Sequence, residues 1–201
     1  MIASLRGTLV FKSPTEVVVD TNGVGYSLSI PLSTYTILGE VNSSVTLLTH
    51  LHVREDALQL FGFATETERS TFKLLISVSG IGPRMAQTIL SGIPVPDLRQ
   101  HITSGNLVAL TAIPGVGKKL AERLIVELRD RVGKTETSSI LSPTISDGQS
   151  QVRSEALLAL TSLGYSRPIA ERALLSSIKE TNGKEISIEE LIKAALRNAT
   201  K

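Results

Sequence analysis

Cysteine is absent from the 201 residues, which excludes disulfides, thiolate zinc sites and cysteine nucleophiles together and agrees with a reducing compartment. Trp is absent too and aromatic residues make up only 3% of the chain, so neither a base-stacking platform nor a large aromatic ligand pocket is favoured. No apolar run approaches the ~18 residues needed to span a bilayer, and the opening stretch MIASLRGTLVFK breaks off too early for a signal peptide. A cytoplasmic protein without membrane contact is therefore expected. At 41% hydrophobic and 20% charged residues, composition favours neither disorder nor a coiled coil, and the length allows one large domain or two to three small ones, against a usual ~100 to 150 residues per domain.

The net charge of +2 hides an uneven distribution. Residues 1–63 carry three Lys/Arg against five Asp/Glu, residues 64–134 ten against six, and residues 135–201 eight against eight. The middle third alone is positive, at +4, and a polyanionic partner should be sought there.

The expected fold is α+β and multidomain. Five short stretches rich in Val, Leu, Ile and Thr, at 5–12, 15–20, 25–30, 45–53 and 58–63, read as strands, with Asn22-Gly23 as a two-residue hairpin turn and a short helix at 33–38. Five strands with a helix after the third suggest an OB-type β-barrel domain over 1–63. From Glu66 the period changes to that of a helix, and short helices at 66–78, 84–91, 96–103, 107–112 and 118–131 build an all-α domain over 64–134. The Ser/Thr-rich stretch 135–150 reads as a flexible linker. Apolar i, i+3, i+4 spacing at 152–162, 168–179 and 187–198 then predicts a three-helix bundle over 151–201.

The middle third contains an internal repeat. Ser79-Gly80-Ile81-Gly82-Pro83-Arg84-Met85-Ala86 aligns with Pro114-Gly115-Val116-Gly117-Lys118-Lys119-Leu120-Ala121 at an offset of 35, and Leu75/Leu110, Val78/Ile113 and Ile89/Leu124 keep that offset. A Gly-apolar-Gly turn between two short helices is suited to holding an anion, because residues without a Cβ permit a tight bend and let backbone N–H groups meet the anion at the next helix's N-terminus. The apolar residue between them plugs the hairpin into its core. Arg84, Lys118 and Lys119 follow directly and place positive charge where a phosphate would sit, an interaction that grips backbone and ignores sequence. A single such turn is usually only a turn; two copies in the one basic segment favour nucleic-acid binding through Gly80, Gly82, Arg84, Gly115, Gly117, Lys118 and Lys119, with Arg123 one turn further on. Pro83 lacks an N–H, so the second hairpin is expected to grip more tightly.

Enzyme readings fare worse. Ala112 stands where a Walker A loop needs its first Gly, and Lys119 stands where it needs Ser or Thr, so ATP binding of that kind is not expected. Residues 113–121 are also similar to the hairpin of base-excision glycosylases, in which a lysine near Lys119 would be the nucleophile; Asp130 is the only downstream Asp nearby and no second lobe exists to form a base pocket. His50 and His52 share one strand face without a third metal ligand in view and read as solvated. No catalytic residue, metal or cofactor is expected.

The blocks VREDA (53–57), LFGF (60–63), SGIGP (79–83), LSG (90–92) and PGVGKKLAERLIVEL (114–128), in this order, resemble the RuvA family of Holliday-junction-binding subunits across the whole chain. That resemblance implies a tandem helix-hairpin-helix domain and a homotetramer holding four duplex arms on a basic face. A second tetramer closing an octamer on DNA, and a junction resolvase of the same system, are open possibilities. It further implies a RuvB-type AAA+ ATPase partner that supplies the motor for branch migration in recombination and repair, making this chain a non-catalytic subunit. A general duplex-binding protein without junction preference is the main rival.

The resemblance also sharpens individual residues. Glu55 and Asp56, by themselves a solvated turn, match the family's acidic pin, where fourfold symmetry would gather eight carboxylates whose repulsion from phosphates keeps the strands apart. Arg54 beside them would engage phosphate at the centre or pair with those carboxylates. Four modules at +4 would place about +16 on one face, so arms are attracted and the crossover repelled. The neutral last domain lacks a Gly-apolar-Gly hairpin, and Leu160, Leu163 and Tyr165, near a turn like that of ubiquitin-associated (UBA-like) bundles, are the expected motor contacts, with core packing of the two leucines as the alternative.

Overall fold

The computed structural model describes residues 1–55, 57–139, 148–180 and 187–199. The chain divides into two compact units, Met1–Ile140 and Leu141–Lys201.

The first unit opens with strands β1 (Ser4–Lys12), β2 (Glu16–Thr21) and β3 (Val24–Ser29), a one-and-a-half-turn helix α1 (Leu32–Ile37), and strands β4 (Ser44–Val53) and β5 (Leu58–Phe63). They close a barrel in the order β1-β2-β3-β5-β4, with β4 returning antiparallel to β1 and β3 lying parallel to β5. Alternation explains the closure: Leu5 and Leu9, Val17 and Val19, and Val45 and Leu47 are buried in one core while their neighbours face out. The β2–β3 turn uses Asn22 and Gly23, both at positive φ, and the Asp20 carboxylate accepts the Gly23 N–H at 2.9 Å.

Strand β5 has both faces covered, which is how the barrel is joined to the helices. Gly62 faces the barrel, where a Cβ would stand 3.1 Å from Leu28, whereas Phe61 and Phe63 point the other way with ring centroids 5.0 and 4.9 Å from Phe72 on helix α2 (Glu66–Ile76). A buried carboxylate reinforces the joint: Glu68 accepts hydrogen bonds from the hydroxyls of Ser33 and Thr34 on α1 and from the Ala64 N–H. Gln87 adds a bond from its side-chain amide to the Ile30 carbonyl at 2.6 Å.

Helices α3 (Pro83–Gly92), α4 (Val95–Ser104), α5 (Leu107–Thr111) and α6 (Lys118–Ser139) complete this unit. Both members of each repeat pair, Leu75 and Leu110, Val78 and Ile113, Ile89 and Leu124, are buried in one shared core. Helix α6 runs beyond Arg131, because an established helix gains one backbone hydrogen bond for every residue added and Ser/Thr composition alone does not stop it. Residues 135–139 and 148–150 of the stretch expected to be a flexible linker are thus helical, and its remainder, 140–147, lies outside the described residues.

In the second unit, α7 (Gly148–Ser162), α8 (Arg167–Glu180) and α9 (Ile188–Ala199) pack around Leu160, Leu174, Leu191 and four alanines, 156, 170, 173 and 195. Small side chains at the contacts let short helices approach closely enough to share a core. Among the described residues, no helix is long and apolar enough to cross a membrane.

Candidate nucleic-acid interface

The two halves of the repeat adopt the same backbone. The Val78 carbonyl accepts the Ile81 N–H at 3.1 Å, and 35 residues later the Ile113 carbonyl accepts the Val116 N–H at 3.0 Å. The third residue of each turn is glycine at positive φ, Gly80 at 90° and Gly115 at 82°, which makes both type II turns; Pro114 takes the second position that such turns favour. Ile81 and Val116, each fourth in its turn, are 5% and 4% exposed and anchor the bends from below.

What remains outside is polar and open. Gly80, Gly82, Gly115 and Gly117 are exposed, and the place a Cβ would take at Gly82 and Gly117 is empty within 4 Å. Arg84, Lys118 and Lys119 are exposed in the first turns of α3 and α6, where backbone N–H groups have no partner within the helix. Positive charge, amides and the positive end of the helix dipole therefore coincide at two bends. The first bend lacks one amide because Pro83 occupies the first helical position.

A brace joins the bends. Arg123 Nη1 donates to the Ser79 carbonyl at 2.7 Å, and Arg131 Nη1 donates to Ser77 Oγ at 2.8 Å, so two turns of α6 hold the first hairpin from the second. Met85 of α3 reciprocates by packing over the second bend, where a Cβ on Gly115 would stand 3.1 Å from its terminal methyl. The structure thus gives Arg123, which the sequence groups with the phosphate-facing residues, a protein partner while leaving its side chain about half exposed, at 48%. Neither Arg131 nor Ser77 is visible from the motif, because their contact spans 54 residues.

At the β4–β5 hairpin the Arg54 N–H donates to the Ala57 carbonyl at 2.9 Å and closes the loop. Glu55 is exposed; Asp56 lies outside the described residues. Arg54 Nε donates to His52 Nε2 at 3.1 Å, and among the described residues it forms no ion pair with a carboxylate. The two histidines are not simply solvated. His50 stacks at a tilt on Phe72 with centroids 5.4 Å apart, and burial, followed by the charges of Lys73, His52 and Arg69, holds its pKa below the ordinary histidine value. No group of three metal-capable side chains occurs among the described residues.

In the second unit Leu160 is fully buried in the bundle core, so it cannot itself be a contact for a partner. Helix α7 ends at Ser162, and the bend through Gly164 at φ 96° turns Leu163 outward to 61% exposure, while Tyr165 packs against the core and stays partly accessible. Leu158, Ile169 and Leu175 are further exposed apolar side chains that the sequence pattern did not single out.

Three family models match the chain in succession: RuvA N terminal domain over residues 1–62, SAM-like Helix-hairpin-helix tandem over 72–130, and RuvA, C-terminal domain over 151–199. Among similar curated proteins, one from Chloroherpeton thalassium is 48% identical over 200 residues, covering 98% of both chains. One from Syntrophotalea carbinolica is 45% identical over 197 residues with the same coverage, and one from Amoebophilus asiaticus is 43% identical, covering 98% of this chain and all of its own. Each of these proteins is called Holliday junction branch migration complex subunit RuvA.

Proposed function

The chain belongs to the RuvA family, and on that premise we propose that it binds four-way DNA junctions by their shape and their phosphates, keeps them open and square, and recruits a RuvB-type ATPase that drives branch migration. The observation that carries this reading is the pair of matching, exposed glycine bends, the first followed by Arg84 and the second by Lys118 and Lys119, in the one segment of net positive charge. Such bends hold sugar-phosphate backbone without reading bases. One bend binds weakly; a homotetramer would present eight, and linking sites raises affinity without any new contact. A linear duplex cannot occupy four symmetric sites at once, whereas a flat four-armed junction can.

The residues divide by role in this reading. Gly80, Gly82 and Arg84 in the first bend and Gly115, Gly117, Lys118 and Lys119 in the second hold the arms; Arg54 serves the centre; Glu55 and Asp56 repel re-stacking strands. Leu163 and Tyr165 offer the second unit's contact to the motor, with Leu160 supporting them from the core. The chain holds the substrate and the partner performs the ATP-driven work. An octamer on DNA, a resolvase in the same complex and a cytoplasmic location fit this assignment.

Competition between a four-way junction and a linear duplex of equal length, at one salt concentration, tests it. The junction should win by at least roughly a hundredfold, as expected for several linked sites. Equal affinities would leave only general duplex binding. Native mass with and without the junction reads the stoichiometry at the same time, and a monomer on the junction would refute the symmetric arrangement.

A further inference from the structure

A cleft of about 360 Å³ lies between the end of the β4–β5 hairpin and the start of α3. It is lined by His52, Arg54, Gln59, Gly82, Pro83 and Arg84, so it brings together two guanidinium groups from elements about 30 residues apart in the chain. Arg84 stands on the first turn of a ten-residue helix, and at Gly82 nothing occupies the space of a side chain. Among the described residues, no carboxylate lines the cleft. The adjacent Glu55 is exposed and makes no ion pair among the described residues. Two cations in one cleft, with no counter-charge among the described residues, make a site for a doubly contacted anion.

The His52–Arg54 contact decides how Arg54 enters that site. A guanidinium Nε can only donate, so His52 Nε2 must be the acceptor and its proton must sit on Nδ1. Tying Nε on one side fixes the plane of the guanidinium, and among the described residues both Nη groups, the pair that grips a phosphate bidentately, have no other partner and can serve the cleft. His52 holds this place through its own strand: on β4 it pairs with Gln59 of β5, which also lines the cleft.

We infer that His52 is a positioning residue that aims Arg54, together with Arg84, at one backbone phosphate of the junction near the crossover. The first hairpin and the base of the pin then form a single phosphate subsite rather than two separate contacts. This inference rests on the DNA-binding reading above, but it does not need a preference for junctions: the coupling of His52 to Arg54 is also measurable on a linear duplex.

The test is a double-mutant cycle in the full chain, with binding to a four-way junction and to an equal-length duplex measured in parallel. His52→Val, which suits a strand but cannot accept a hydrogen bond, should weaken junction binding by about threefold to tenfold, the size of one hydrogen bond. His52→Gln, whose side-chain oxygen can accept from Arg54, should recover most of the loss. In an Arg54→Ala background, His52→Val should have no further effect. An equal loss with and without Arg54, or no loss at all, would overturn the positioning role. ¹⁵N NMR of the unmodified protein gives an answer that depends on no variant's folding: His52 should carry its proton on Nδ1, and a proton on Nε2 would contradict the geometry. If junction and duplex bind equally while the His52–Arg54 coupling persists, the junction reading fails and the phosphate subsite stands. Free inorganic phosphate competing at millimolar concentration as well as the duplex does would show an ion site without a role in DNA binding.

Discussion

Arg123 Nη1 donates to the Ser79 carbonyl at 2.7 Å, linking the helix that follows the second glycine bend to the loop that forms the first. With Met85 packed over Gly115 in return, neither bend is free to move without the other. If the bends hold phosphates as proposed, a fixed spacing between them serves a binding surface better than two independent loops, because less ordering is needed on binding.

Arg123→Ala should therefore act through the first hairpin. Thermal unfolding should show a loss of about 0.5–1.5 kcal/mol, toward the low end because the bond is half exposed. In DNA binding the variant should be strongly non-additive with Arg84→Ala. Strict additivity would mean that Arg123 contacts phosphate on its own account.

The glycines of one bend should separate by role. Gly115→Ala places a Cβ at φ 82° and 3.1 Å from Met85, and should cost about 1–3 kcal/mol in stability. Gly117 has open space around it and ordinary backbone, so Gly117→Ala should fold with a smaller loss and reveal itself in weaker binding, because the added methyl stands where a phosphate would approach. Chemical denaturation and DNA titration of both variants distinguish these outcomes; equal stability losses would contradict the assignment.

Neutralising the pin with Glu55→Gln and Asp56→Asn should leave junction binding unchanged or tighter while narrowing the preference for junction over duplex by roughly fivefold, the effect of ~1 kcal/mol of like-charge repulsion. Clearly weaker binding would show that these carboxylates do not face phosphates.

His50 sets one pH dependence. Its folded-state pKa lies below the unfolded value, so the unfolded chain takes up the proton first and stability falls as pH drops through the ordinary histidine range of about 6.5. Above that range the contribution is fully present. His50→Phe, which keeps the ring on Phe72, should remove this part of the acid loss, and an unchanged pH profile of unfolding would exclude His50 as its source.

Much of this was legible in one dimension. The 35-residue offset is written in residue identities, and it returned as two turns with the same hydrogen bond, the same positive-φ glycine and the same buried plug. Alternating Val and Leu gave the strands, and Asn22-Gly23 their first turn. Contacts made by folding were not legible: Arg123 with Ser79, Arg131 with Ser77, and Met85 over Gly115 depend on how α6 crosses the first hairpin. Leu160 and Leu163 looked alike by spacing, yet the helix ends between them and only Leu163 turns outward. Glu68 left a faint signal in Thr65-x-x-Glu68, a helix-start pattern. Thr65 does cap, accepting the Glu68 N–H at 3.2 Å, but the Glu68 carboxylate bonds Ala64, Ser33 and Thr34 instead.

The most direct measurement is the salt dependence of binding to several four-way junctions of unrelated sequence, for the full chain and for Lys118→Ala. The slope of log affinity against log salt should fall by about 0.9 for each phosphate that is no longer neutralised, and affinity should drop equally on every sequence. A slope that does not change, or a drop that depends on which bases surround the crossover, would contradict a grip made by glycine bends and lysines on the backbone alone.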